Sequence, residues 1–193
     1  MATHYNETTH YIDTFRGNNF GCNIKTENSK PRMNNNQTSN LTQGKQFFDY
    51  DEIDYYFNDY DEDKIGLLYD NQSKSELDSL RMGVVLGSIP KDISDLSFID
   101  KLDKIGYKKE TVNKSKFSGI DKLFVEKTVE EIVATSCIYI YRDILIFKKN
   151  KKIIGTAKIC FGCMAHEITG TNANTDNFGQ NGDYEKLCDL LRE

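Results

Sequence analysis

Residues 137–160, CIYIYRDILIFKKNKKIIGTAKIC, constrain the fold more than any other stretch of this sequence. Two runs rich in β-branched and aromatic residues flank the polar stretch KNKK, a pattern typical of a β-hairpin. Asn150 tolerates the positive φ that a two-residue turn at Asn150-Lys151 requires. The first run is apolar at consecutive positions, and such a strand is normally covered on both faces. We therefore predict a hairpin whose first strand is central in its sheet.

Helix signals surround this hairpin in the sequence. Ser73 followed by Glu76 has the spacing of a capping box, which predicts a helix beginning there. Residues 94–106 predict a second helix, closed by a glycine in the left-handed conformation. Shorter helices are predicted around residues 120–124 and from Asp183 onward. Because these elements do not alternate as βαβ units, we expect an α+β fold with an antiparallel sheet.

The first 45 residues predict a tail rather than part of the core. Their sequence is rich in Asn, Thr and Ser and has no apolar period, and the stretch SKPRMNNNQTSNLTQG is typical of it. Such a composition buries too little apolar surface to offset the entropy lost on ordering. We interpret residues 1–45 as a polar tail or linker and residues 46–193 as a single α+β domain.

Charge and hydropathy argue against several classes of partner. The net charge of -5 and the pI of about 5.3 do not provide the basic footprint of a duplex-binding protein, so we expect no direct nucleic-acid binding. No window approaches ~18 consecutive apolar residues, so we expect no membrane span. The N-terminal sequence MATHYNETTHYIDTF lacks the basic and apolar regions of a secretory signal. A cytoplasmic location is the resulting expectation.

A dense acidic and aromatic segment, FFDYDEIDYYFNDYDEDKIGLLY at 47–69, is the first candidate site. It carries eight carboxylates against one lysine, and aromatic residues are interleaved with them. Clustered carboxylates steer a basic partner over long range, and tyrosine offers a large contact area with few rotatable bonds. The alternative is a solvated face that reflects biased composition. The predicted partner-binding residues are Asp49, Tyr50, Asp51, Asp54, Tyr55, Asp59, Tyr60, Asp61 and Asp63.

The segment KICFGCMAHE at 158–167 is the second candidate site. A lone C-x2-C motif is half of a zinc site, and the predicted hairpin pairing would bring Cys137 beside Cys163. A structural zinc ion is therefore one hypothesis, and a thiol redox centre is another. The remaining interpretation is that the cysteines are small buried residues that only fill space. The predicted zinc ligands are Cys137, Cys160, Cys163 and His166.

The C-terminal third of the chain, YRDILIFKKNKKIIGTAKICFGCM together with TNANTDNFGQNGDYEKL, resembles a group of small bacterial proteins of unknown role. This resemblance implies no activity, cofactor or partner. Because no catalytic signature stands out, the sequence favours a non-enzymatic role without a cofactor. We expect a small acidic binding protein, similar to an inhibitor or immunity protein, whose protein partner presents a basic face. A structural zinc or thiol-redox protein centred on Cys160 and Cys163 is the alternative.

Overall fold

The computed structural model describes residues 44–128 and 137–192. Within them the chain forms one five-stranded antiparallel sheet with helices, which confirms the predicted α+β fold. The strands are β1 (Glu52–Phe57), β2 (Lys108–Thr111), β3 (Asp143–Lys149), β4 (Lys152–Cys160) and β5 (Ala165–Thr169). The α-helices are α1 (Glu62–Asp70), α2 (Glu76–Val85), α3 (Phe117–Leu123) and α4 (Asp183–Arg192). In the sheet the strands follow the order β2-β1-β3-β4-β5, so β3 is central, as predicted.

The predicted tail lies almost entirely outside the described residues. At its end, the carbonyl of Lys45 accepts a hydrogen bond of 2.9 Å from the backbone N–H of Glu126, and Gln46 forms a β-bridge with Val125. Lys45, which the sequence prediction assigned to the tail, is therefore already paired with the folded domain.

The β3–β4 hairpin has its turn at the predicted place and its second strand ends at Cys160 as predicted, but β3 begins at Asp143, six residues later than the predicted start at Cys137. Lys149 pairs with Lys152, and the two residues between them, Asn150 and Lys151, have φ angles of 49° and 65°. Two successive residues with positive φ give the tight turn whose twist matches that of the flanking strands.

One glycine determines how β4 meets the core. Gly155 pairs with Phe147 of β3, and the pairing register shifts between Phe147 and Lys148. The ring of Phe48 lies directly over Gly155, so a Cβ atom at this position would overlap that ring. The same Phe48 ring stacks on Phe147, with ring centroids 4.4 Å apart. Residue 155 must therefore lack a side chain for the two rings to stack.

Side chains of β3 alternate between two apolar cores. Leu145 and Phe147 are buried in a cluster that includes residues of α3 and α4. Ile144 and Ile146 are buried in a second cluster, which includes residues of α1, α2 and the segment 98–107. The sheet is thus the middle layer of three. No described helix has the length and apolar character needed to cross a membrane.

Helices α3 and α4 form where the sequence predicts them, whereas the cap of α2 lies two residues later than predicted. Ser75 is the N-cap of α2, and it exchanges capping-box hydrogen bonds with Asp78. Ser73 instead donates its backbone N–H to the side chain of Asn71 at 2.8 Å, in the turn that precedes the helix. That local hydrogen bond explains why the predicted Ser73–Glu76 box does not form.

The helix predicted over residues 94–106 is wrong. This segment forms turns and one short 3₁₀ helix, Ile99–Lys101. Its start is set by Asp92, whose carboxylate accepts the backbone N–H of Ser94 at 2.7 Å in a turn. Gly106 has a φ of 96°, so the predicted left-handed glycine is present. The spacing of apolar residues correctly indicated that side chains of this segment are buried. Successive turns bury them without forming an α-helix.

Candidate functional site

Strand β1 buries two of the predicted partner-binding residues. Asp54 is only 3% exposed, and its Oδ2 atom lies 2.5 Å from Lys148 Nζ and 2.7 Å from Lys109 Nζ. The buried hydroxyl of Tyr55 donates a hydrogen bond of 2.5 Å to Asp143. Strand β1 pairs with β2 and β3 along its edges, and its two faces are covered because Tyr55 belongs to one apolar core and Tyr56 to the other. This corrects the expectation that Asp54 and Tyr55 lie on the exterior.

Three further predicted residues bond within the chain near the hairpin end of the sheet. Asp49 forms an ion pair of 2.8 Å with Lys149, and Asp51 accepts a backbone N–H of the turn at 2.9 Å. The half-buried Tyr50 donates its hydroxyl to Asp121 at 2.7 Å. Burial raises the pKa of Tyr50, and the Asp121 carboxylate raises it further. These contacts tie the segment to its own domain.

The remaining predicted residues lie at the opposite end of β1. Asp61 is the N-cap of α1 and accepts the backbone N–H of Lys64 at 2.7 Å, a hydrogen bond that lowers the pKa of Asp61. Asp59 and Asp63 are exposed, and neither forms an ion pair within the described residues. Tyr60 is half-buried and donates its hydroxyl to a backbone carbonyl at 2.6 Å. The nine residues predicted for partner binding are therefore dispersed from the segment before β1 to the first turn of α1.

A more compact acidic and apolar surface lies on the two helices that follow. We define the α1–α2 surface as the exposed and partly exposed side chains of residues 61–78, which hold six carboxylates against two lysines. Three large apolar side chains are exposed on it, with exposed fractions of 75% for Leu67, 65% for Tyr69 and 40% for Leu77. The sequence interpretation missed these three residues. The helical period around the buried Ile65 was a signal for Leu67 alone, which lies on the opposite side of α1.

One stripe on the outward face of α1 contains both acidic and apolar side chains. Asp63, Leu67 and Asp70 recur at positions i, i+4 and i+7, so they lie on one side of the helix. Ile65, the buried residue of α1, points to the opposite side. An exposed leucine between two carboxylates is therefore the centre of this face.

Gly66 lies beside this stripe in the middle of α1. A Cβ atom at this position would meet nothing within 4 Å, and the glycine does not adopt a positive φ. Glycine costs a helix interior about 1 kcal/mol relative to alanine. Packing within the described residues does not explain this glycine.

The second candidate site separates into unrelated contacts. Cys137 and Cys163 lie together, as the hairpin pairing predicts, and they form a disulfide with Cα atoms 6.2 Å apart. These two cysteines therefore do more than fill space. Cys160, at the end of β4, is buried and free. Residues 161–164 then turn into β5, so the C-x-x-C motif does not begin a helix as thioredoxin-like redox centres do.

Both ring nitrogens of His166 are occupied by hydrogen bonds. Nε2 lies 3.1 Å from the carbonyl oxygen of Thr175, and Nδ1 lies 2.8 Å from the hydroxyl of Tyr184. Because a carbonyl only accepts, Nε2 carries the proton and Nδ1 accepts from Tyr184. Among the described residues, no three His, Cys, Asp or Glu side chains form a group that could hold a metal ion. The zinc hypothesis stays a prediction.

His166 should make the stability of the protein sensitive to mild acid. Burial lowers the pKa of His166 below its ordinary value of 6.5. The unfolded chain then binds the proton first, so the free energy of unfolding falls as the pH drops from 6.5 through the folded-state pKa, by at most ~1.4 kcal/mol per pH unit. Urea unfolding at several pH values should show a shallower decline for His166→Gln. Equal slopes in the two proteins would contradict this assignment.

Lys158 is a buried ionisable residue that the sequence interpretation did not single out. It lies on β4, is fully buried, and forms an ion pair with Glu167 of β5. Its Nζ atom also donates to the carbonyl of Ile89 at 2.6 Å. Burial lowers the pKa of Lys158. Because the amine is enclosed and bonded on two sides, it secures the loop after α2 against the sheet. A lysine within an apolar strand was the only signal for it.

Comparison of the chain with protein-family models gives no match, and comparisons with curated proteins and with solved structures give none either. The resemblance to small bacterial proteins stays a prediction. The proposal that follows rests on the contacts, burial and charges of the described residues.

Proposed function

We propose that this protein is a small acidic binding protein that occupies a protein partner with a basic face, and that it uses the α1–α2 surface. The observation that carries the proposal is the exposure of Leu67 between Asp63 and Asp70. An apolar centre surrounded by charged residues is the usual anatomy of a protein interface. Of the nine residues predicted from sequence, the proposed contact region keeps Asp61 and Asp63 and adds the rest of α1 and the start of α2.

Charge supports a basic partner. The carboxylates of the α1–α2 surface outnumber its lysines threefold, and one of the two lysines, Lys64, already pairs with Asp61 at 3.5 Å. A surface of one sign attracts the opposite sign over a distance of about one Debye length, ~10 Å at 0.1 M salt. In this proposal the acidic residues set the association rate, and Leu67 supplies the buried contact.

Gly66 gives independent support. Glycine is the residue that allows the closest approach of another backbone. Its position on the outward side of α1, with open space around it, fits a helix face that a partner approaches closely. In this proposal Gly66 serves partner binding, although it makes helix α1 less stable.

Neutralising the stripe should weaken partner binding. We expect Asp63→Asn combined with Asp70→Asn to reduce recovery of the partner from an extract of the source cells about tenfold, because the variant loses electrostatic attraction. Recovery by the unaltered protein should also fall between ~0.05 and ~0.5 M salt. The measurement is quantitative pull-down with the bound protein identified by mass spectrometry.

The matched control removes two exposed carboxylates from α4, on the other side of the sheet. Glu185→Gln combined with Asp189→Asn makes the same change in net charge and should leave recovery unchanged. A loss of recovery equal to that of the stripe variant would show that only net charge matters, and the proposal would fail.

Gly66→Ala separates binding from folding. Alanine should raise the free energy of unfolding by roughly 0.5–1 kcal/mol, since it favours the helix. The same change should reduce partner recovery, because the added methyl group lies on the proposed contact face. Unchanged recovery with raised stability would argue against close approach at Gly66.

A further inference from the structure

A cavity of about 620 Å³ lies at the end of the sheet where β1 and β2 meet the C-terminal end of α4 and residues 112–116. Pockets that bind small molecules usually span ~300–1,000 Å³. The residues that line this cavity do not belong to the α1–α2 surface, so the two sites are independent.

Aromatic and aliphatic side chains form one part of the cavity wall. Tyr55 and Phe57 line it from β1, with ring centroids 5.5 Å apart and an interplanar angle of 24°. Leu190 and Leu191 line it from α4. Because the hydroxyl of Tyr55 is already bonded to Asp143, Tyr55 offers its ring rather than a hydrogen bond. These walls suit a flat apolar group.

Lys116 is one of the charged residues in the wall of the cavity. It lines the cavity and is partly buried, and its ammonium group forms neither a hydrogen bond nor an ion pair within residues 44–128 and 137–192. All other partly or fully buried lysines in this part of the chain have such a partner. An anionic ligand would supply the partner that this ammonium group lacks, through a charge-assisted hydrogen bond.

Other charged residues at the cavity limit the charge of a ligand. Lys108 adds a second cation from β2, on the strand next to Phe57. Arg192 of α4 is a third cation in the wall, and it already pairs with Asp143 at 3.2 Å. Asp59 and Glu110 also line the cavity and are exposed, so they would oppose a second negative charge on the ligand. One negative charge is therefore favoured over two.

We propose that this cavity binds a small flat aromatic monoanion. Its ring packs against Tyr55 and Phe57, and its carboxylate or sulfonate group binds Lys116. This inference stands apart from the proposed protein-binding function and does not depend on it.

Two fluorescent probes that differ in one charged group test the inference. Anilinonaphthalene sulfonate carries the ring system and one negative charge, and phenylnaphthylamine carries the same rings without the charge. We expect the protein to bind the sulfonate at one site per chain and the neutral probe more weakly. Lys116→Gln should weaken sulfonate binding roughly tenfold, because one charge-assisted hydrogen bond is lost. Binding of the neutral probe should not change.

The control variant is Lys152→Gln, at the hairpin turn on the opposite end of the sheet, and it should leave both affinities unchanged. Naphthalene disulfonate should compete less well than naphthalene monosulfonate. The inference would be overturned by non-saturable sulfonate binding, by equal affinity for the two probes, or by equal effects of the two lysine variants. Stronger competition by the disulfonate would overturn the assignment of a monoanion.

Discussion

Replacing Phe147 with alanine should lower the free energy of unfolding by about 4 kcal/mol, the typical cost of removing a buried phenylalanine side chain. Phe147 is fully buried in the central strand of the sheet. Its ring centroid lies 4.4 Å from that of Phe48, 5.0 Å from that of Phe124 and 5.2 Å from that of Tyr50. Alanine would leave a cavity that these rings could only partly fill. Guanidinium unfolding followed by circular dichroism measures the change.

Two control variants distinguish packing from hydrophobicity alone. Phe147→Leu keeps much of the volume and should cost about 1.5 kcal/mol. Leu67→Ala removes an apolar side chain that is 75% exposed and should change stability by less than about 0.5 kcal/mol. A loss of only about 1 kcal/mol for Phe147→Ala would contradict the close packing described for this core.

Removing the bond between Cys137 and Cys163 should have the second-largest effect. The two residues are 26 positions apart in the sequence, and a disulfide closing a loop of this length typically stabilises a protein by ~3 kcal/mol. We therefore expect Cys137→Ala combined with Cys163→Ala to lower the free energy of unfolding by about that amount. Chemical unfolding measures the loss, and mass spectrometry of an unreduced digest should show a peptide that joins the two cysteines.

Cys160→Ala is the matched control, because Cys160 is buried but free. It should cost about 1 kcal/mol through lost packing alone. If the double variant costs no more than this control and no joined peptide is found, the bond does not form in the isolated protein. Disulfides persist in oxidising compartments and are rare in the cytosol. The cytoplasmic prediction and this bond therefore lead to opposite expectations for protein isolated from cells.

The hairpin was predictable because its signals are local. Asn150 at a turn, polar neighbours and two β-branched runs act over a few residues, and the structure reproduces each of them. The cap of α2 was displaced because two serines, Ser73 and Ser75, both have an acidic residue three positions later. Only the turn formed by Asn71 decides between them.

The exposure of the acidic segment could not be read from the sequence. Whether Asp54 faces solvent depends on the strands beside β1, and one of those, β2, has the sequence Lys-Lys-Glu-Thr with no apolar residue. All of β2 is exposed, so its pairing with β1 leaves no hydrophobic pattern to detect. The buried ion pairs of Asp54 with Lys148 and Lys109 are likewise contacts between distant parts of the chain.

The glycine at position 155 bears on how the two hairpin strands find their alignment. In a sheet with one solvent-exposed face, a register slip of one residue turns apolar side chains toward water, which is unfavourable. Here a slip would leave the apolar side chains of β3 buried, because an apolar core covers each face of the sheet. These side chains are Ile144, Leu145, Ile146 and Phe147. Steric fit must then select the register, because the Phe48 ring fits over β4 only where Gly155 has no side chain. The correct pairing register of this hairpin is thus selected by the space that Gly155 leaves for a ring, and not by an attractive contact.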